Sequence, residues 1–161
     1  MDEIERKFLI KKLPDLSDQT PILYERYYLR RGDDVEDRIQ LKGGKYEREI
    51  LESVSSLARK KHKTTLTKGE FESLKQQASE VIIREGYQIK DIPNGTIKIY
   101  HGRFEGLIRA EVEFPSEEKA QAFKAPDWFG KEISDTPLSR DSRLLDLSDE
   151  DFKKLLSKNF Q

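Results

Sequence analysis

The 161 residues suit one domain, and 30 basic against 31 acidic side chains leave a formal charge of −1, which excludes a nucleic-acid partner held by bulk positive charge. No cysteine is present, so disulfides, thiolate metal sites and cysteine nucleophiles are excluded as well. The N-terminus carries Asp2, Glu3, Glu5, Arg6 and Lys7 in place of an apolar leader, and no run nears the roughly 20 apolar residues of a membrane span, so a cytoplasmic protein without a membrane partner is expected.

Residues 3–10 alternate charge with Ile4, Phe8 and Ile10, the two-residue period of a strand with one polar and one apolar face. Residues 14–21 read as a loop and Ile22 to Arg31 as a second strand, rich in tyrosine. A turn follows at residues 31–34. The runs Glu36 to Leu41 and Tyr46 to Leu51 flank Gly43-Gly44, which predicts a hairpin. Residues 57–65 form a further, very basic strand. Thr67 and Glu70 fit a capping box for a helix over about 68–79. Strand character returns from Val81 to Ile92, turns at Pro93-Asn94-Gly95 and resumes over Thr96 to Tyr100. Leu107 to Phe114 alternates again. Ser116 caps a short helix through Phe123, residues 126–130 make an aromatic loop in which Trp128 and Phe129 seal one end, and a last helix runs from Ser148 to about Ser157. The expected fold is α+β: an eight-stranded antiparallel closed β-barrel with a few short helices outside, one domain over residues 1–161.

Charges recur at every second residue on several strands: Glu3, Glu5 and Lys7; Glu36, Arg38 and Gln40; Arg109, Glu111 and Glu113. Such faces either meet solvent or converge inside the barrel, where carboxylates suit a hard divalent cation and basic groups a phosphate chain. The run Glu3-Ile4-Glu5-Arg6-Lys7-Phe8, with the Arg38 strand, the Glu111-Val112-Glu113-Phe114 strand, the helix after Ser116 and the Trp128-Phe129-Gly130 loop in the same order, resembles the CYTH superfamily, the triphosphate tunnel proteins, over residues 2–147. That resemblance implies a tunnel that hydrolyses inorganic triphosphate or a triphosphorylated nucleotide or thiamine with Mg²⁺ or Mn²⁺. It implies Glu3, Glu5, Glu111 and Glu113 as metal-side groups, Glu5 and Lys7 as catalytic, and Lys7, Arg38 and Arg109 as phosphate ligands.

The chain departs from the family pattern in several places. Gln40 stands where many relatives carry a second basic residue, Leu51 where a lysine is expected, Lys61 and Lys63 where active relatives place glutamates, and Lys98 where an acid is expected. Two outcomes follow. Either the lysines neutralise the glutamates and leave a salt-bridged tunnel that binds a polyphosphate or phosphorylated ligand without catalysis, or one metal is retained and Lys61 and Lys63 tighten the hold on a polyanion. His62, on the opposite face from Lys61 and Lys63, reads as a surface histidine, and His101, beside Gly102 at a turn, has no visible partner. Adenylate cyclase activity, known in one branch, has no purine pocket to support it here. A monomer or homodimer is expected.

Overall fold

The computed structural model describes residues 2–55, 57–78 and 80–160. Eight antiparallel strands, β1 (Asp2–Ile10), β2 (Ile22–Arg31), β3 (Val35–Lys42), β4 (Lys45–Ser53), β5 (Ala58–Thr65), β6 (Val81–Gln88), β7 (Gly95–His101) and β8 (Ile108–Glu113), pair in the order β5-β4-β3-β2-β6-β7-β8-β1. Pairing of β5 with β1 closes the barrel, which removes both open edges. The Gly43-Gly44 turn between β3 and β4 has φ of 55° and 85°, the left-handed region that glycine enters without a Cβ clash.

Each strand splits its residues between two environments. On β1, Ile4 and Phe8 turn outward and are buried, while Glu3, Glu5 and Lys7 turn into the barrel. The barrel is therefore inverted relative to a usual core: its apolar residues are covered from outside and its charges lie within. Phe8, Ile97, Ala110 and Val112 make the largest outer cluster with Phe123, Trp128 and Phe129. This corrects the expected role of the aromatic loop. Trp128 and Phe129 clad the barrel wall and do not seal its end, because Phe129 opens a ninth strand, β9 (Phe129–Glu132), that pairs with the outer edge of β1 at Phe8 and Ile10. Arg6, part of the opening motif, also points outward. It donates to both carboxylate oxygens of Glu132 at 2.9 and 2.6 Å and to the carbonyls of Ala120 and Phe123, and so clasps β9 and helix α2 (Glu117–Ala122) to the wall.

The end of the barrel is closed by the C-terminal segment. Leu138, Leu144 and Phe152, from residues 137–144 and the last helix, pack on Leu9, Tyr28, Ile82, Tyr100 and Leu107. Two helices there, α3 (Asp141–Leu144) and α4 (Asp149–Asn159), are short and highly charged. Helix α1 (Lys68–Lys75) has the predicted reciprocal capping box between Thr67 and Glu70 but stops one turn earlier than expected. Its only buried side chain, Phe71, inserts between Tyr27 and Tyr46. Phe71→Ala should cost about 3–5 kcal/mol of unfolding free energy, read by urea titration, while leaving the tunnel chemistry intact, since α1 lies on the outer wall. Likewise β6 ends at Gln88 and not at Ile92, because Ile89 to Gly95 is taken up by a turn in which Asn94 has φ 59°.

Candidate functional site

The inward faces enclose a cavity of about 220 Å³ lined, among the described residues, by eleven lysine or arginine side chains and seven aspartates or glutamates, so four formal positive charges are in excess. All the charges singled out from the sequence reach it. Glu3, Glu5, Lys7, Arg38, Arg109, Glu111, Glu113, Lys61, Lys63 and Lys98 share this one space, which settles the question of whether the three lysines face the glutamates.

The carboxylates fall into layers. Glu3, buried, accepts from Arg59 at 3.2 Å and pairs with Lys61; Arg59 also reaches Glu36 at 2.6 Å. Burial alone would raise the Glu3 pKa, but a hydrogen bond with Glu5 and the cations Lys61, Arg38 and Arg59 hold it well below the usual carboxylate range. Glu5 is in the opposite state. Among the described residues its one paired cation is Lys7, at 3.9 Å, and burial, reinforced by Glu3 and Glu111, pushes its pKa up to about 7. The 18% of the Glu5 side chain that stays exposed faces the cavity. Burial lowers Lys7 to about 8, and its ammonium donates to the Ser139 carbonyl at 2.7 Å. Glu111 is gripped by Arg109 at 2.6 and 3.1 Å, with Arg84 and Lys98 further off. Glu113, opposite Glu5 in the β1–β8 register, sits at the exposed mouth.

The lysines divide as the sequence left open. Lys61 bridges Glu3 and Glu49, Lys63 pairs with Glu47 at 3.1 Å and Glu49 at 3.9 Å, and Lys98 approaches Glu111 at 3.9 Å. Relative to the family pattern, which places lysine on β4 and glutamates on β5, the two neighbouring strands have exchanged charge. Glu47 and Glu49 on β4 face Lys61 and Lys63 on β5, and Leu51 packs below them, buried. Gln40 is no gap either. It accepts from Arg26 at 3.1 and 2.8 Å.

Sequence reasoning missed Arg26, Glu47, Glu49, Arg59 and Asp141. Glu47 and Glu49 lie in phase with Leu51, and Arg59 with Lys61 and Lys63, so extending the alternation would have found these three, whereas Arg26 lies on a strand where no inward residue was named. Asp141 lies in a segment without periodicity and gave no signal. His62 is exposed, and His101 lies at 3.5 and 3.4 Å from Glu85 and Glu105 on the outside.

Tyr24 lines the cavity within cation–π range of three cations. Its ring centroid lies 4.7 Å from the Arg84 guanidinium, 5.1 Å from Lys98 Nζ and 5.7 Å from Lys42 Nζ. Gly86 makes room for it, since a Cβ there would meet Tyr24 Cε1 at 3.0 Å. Tyr24→Leu should raise the KM for a polyanion about 3- to 10-fold with little change in kcat, whereas Tyr24→Phe, which keeps the π face, should hold the wild-type KM; steady-state kinetics of both variants is the check.

No family model matches the chain. The inorganic triphosphatase of Nitrosomonas europaea is 31% identical over 138 residues, 84% of this chain and 91% of that protein. The chain belongs to the CYTH superfamily of triphosphate tunnel proteins. The inorganic triphosphatase of Acetivibrio thermocellus is 26% identical over 94% of this chain and 98% of its own. The crystal structure of the inorganic triphosphatase NE1496 superimposes with a TM-score of 0.61 at 27% identity, covering 88% of this chain and 95% of that one. A CYTH tunnel with its charges inside is thus what sequence, fold and likeness agree on.

Proposed function

We propose that the protein hydrolyses inorganic triphosphate with a divalent cation. The observation that carries this reading is the cavity itself: about 220 Å³ with four positive charges in excess, below the roughly 300 Å³ where organic-ligand pockets begin. A short, multiply charged inorganic chain matches that space. A nucleotide would also need a platform for its base, and the ring of Tyr24 already has three cations beside it. Arg84 Nε adds a buried donor without a hydrogen-bond partner among the described residues, pointing to an anion as its natural complement.

A hard cation fits the acidic side of this site. Among the described residues no three carboxylates or imidazoles cluster as a metal cage, but Mg²⁺ is usually held by one or two carboxylates with substrate oxygens supplying the rest. Glu5 is the undercompensated group, with Glu3 in hydrogen-bond reach and Glu111 nearby. Glu3 and Glu5 would hold the ion, with Glu111 and Glu113 completing the acidic side; Mg²⁺ and Mn²⁺ both suit such oxygens. Bound there, the ion would polarise a phosphoryl oxygen and acidify water. The chain's own cations do the rest. Lys7, Lys61 and Lys63 take the phosphate oxygens, Arg38 holds Glu49 at 2.9 Å while facing the cavity, and Arg109 orients Glu111. They stabilise charge on the transferring group and its leaving oxygen.

Orthophosphate release from triphosphate, nucleoside triphosphates and thiamine triphosphate, with Mg²⁺, Mn²⁺ or chelator, tests the reading. Triphosphate should be preferred and chelator should stop it. Absence of release from every substrate, at a protein concentration where Glu5→Gln makes no difference, would sink it. One observation favours a second reading, a binding protein without catalysis: Lys61 bridges Glu3 and Glu49 as a tethered cation. That reading requires triphosphate binding, measured by calorimetry, to survive chelator undiminished.

A further inference from the structure

Three arginines from three different strands converge on one small anion at the bottom of the tunnel. Arg26 of β2 reaches Asp141 at 2.9 Å, Arg84 of β6 at 3.5 Å and Arg109 of β8 at 3.3 Å, and the Tyr100 hydroxyl donates to it at 2.5 Å. Convergent guanidinium groups with a hydroxyl are the means by which proteins seat a phosphate. Here the anion is supplied by the chain. Asp141 begins α3, in the C-terminal segment that packs across the floor, and its side chain is 1% exposed.

Resting on the triphosphate reading above, we propose that the Asp141 carboxylate is a chain stop: a built-in anion that fills the innermost phosphate seat and thereby limits the length of polyphosphate the tunnel accepts. Arg84 and Arg109 also pair with Glu111, but the cavity lining as a whole carries more basic than acidic side chains, and that excess still draws a phosphate chain down the cavity. The chain's leading phosphate then meets a fixed negative charge, and like charges a few ångströms apart in a buried site repel strongly. Beyond Asp141 lies the floor on which Leu9, Ile82, Leu107, Leu138 and Leu144 pack, an apolar surface that is costly for a further phosphate to meet. The seat is therefore both occupied and final.

The test compares kcat/KM for linear inorganic triphosphate and tetraphosphate, with Mg²⁺, in the full-length protein and two variants. Wild type should favour triphosphate. Asp141→Asn keeps the side chain's size and removes its charge, and should shift the ratio toward tetraphosphate on the order of tenfold. Asp141→Glu pushes the carboxylate one methylene up the cavity and should shift the ratio the other way, a response that mere loss of packing would not give. Thermal melts establish that each variant is folded. A ratio within twofold of wild type in the folded variants overturns the chain stop, and so does a wild-type protein that takes tetraphosphate as readily as triphosphate, a result that needs no variant. If wild type turns over neither chain, the triphosphatase reading fails first, and calorimetric binding of the same two chains in chelator decides the chain stop by the same ratio.

Discussion

Glu5→Gln should abolish triphosphate hydrolysis, by at least about 100-fold in kcat, and at the same time make the metal-free protein more stable at pH 8. The two effects have one cause. Burial, with Glu3 and Glu111 beside it, raises Glu5 from its ordinary 4.5 to about 7 in the fold, so the folded state binds this proton more tightly than the unfolded chain. A raised folded pKa supplies stability that is fully present below pH 4.5 and is lost as pH rises through about 7. At roughly 1.4 kcal/mol per pKa unit, the charged form at pH 8 costs the fold up to about 3 kcal/mol. An amide keeps the hydrogen bond to Glu3 and carries no charge. Thermal melts in chelator should therefore place the variant above wild type at pH 8 and close to it at pH 4.5. Equal melting at pH 8 would mean that Glu5 is not held at a cost, and its candidacy as the cation's ligand would lose its physical basis.

Removing Glu49 should do the reverse. It is 2% exposed and faces Arg38 at 2.9 Å, Lys61 at 3.5 Å, Lys63 at 3.9 Å and Arg26 at 4.0 Å. Burial alone would raise its pKa, yet the cations, Arg38 foremost, hold it well below the carboxylate range. Glu49→Ala leaves that group of cations without its central anion, a change that typically costs about 3–5 kcal/mol. The loss should be recoverable. Triphosphate binds only the folded tunnel and brings the missing negative charge, so it should raise the melting temperature of the variant by more than that of wild type. Parallel melts with and without triphosphate provide the comparison, and an equal increment in the two proteins would show that the Glu49 cluster does not face the ligand.

Strand positions were legible because a barrel wall with unlike sides imposes a strict two-residue period on the sequence, as in Glu3 to Lys7 or Arg109 to Glu113. The direction of each face was harder to read. On β4 both faces are charged, with Glu47 and Glu49 inside and Arg48 outside, bound to Asp37, so alternation alone does not say which side is buried. The family pattern supplied the direction for β1, β3, β5 and β8, with Lys61 and Lys63 inward as it placed them, but gave no sign that β4 and β5 exchange charge between partners. What had no local signature was supplied by tertiary contact. The four residues of β9 are ordered by the edge of β1, and Asp141 acquires its place from three arginines remote in sequence. Arg6 shows the same limit from within the motif, since its neighbours Glu5 and Lys7 face the cavity while it serves the outer wall.

Among the described residues, the seam between β1 and β5 is the narrowest join in the wall, with three residue pairs, Asp2–Lys60, Glu3–Arg59 and Ile4–Ala58, where β3 and β4 share eight. The partners lie more than fifty residues apart, so the join brings together distant parts of the chain with few contacts to offset the lost chain entropy. Seam closure should come late in folding, and the seam's amides should exchange with solvent deuterium sooner than those of the β3–β4 hairpin. Glu3 lies on that seam, held across it by Arg59. Opening there would separate a carboxylate of the acidic site from its partner before the rest of the barrel loosened, making the site's integrity a local equilibrium distinct from global unfolding.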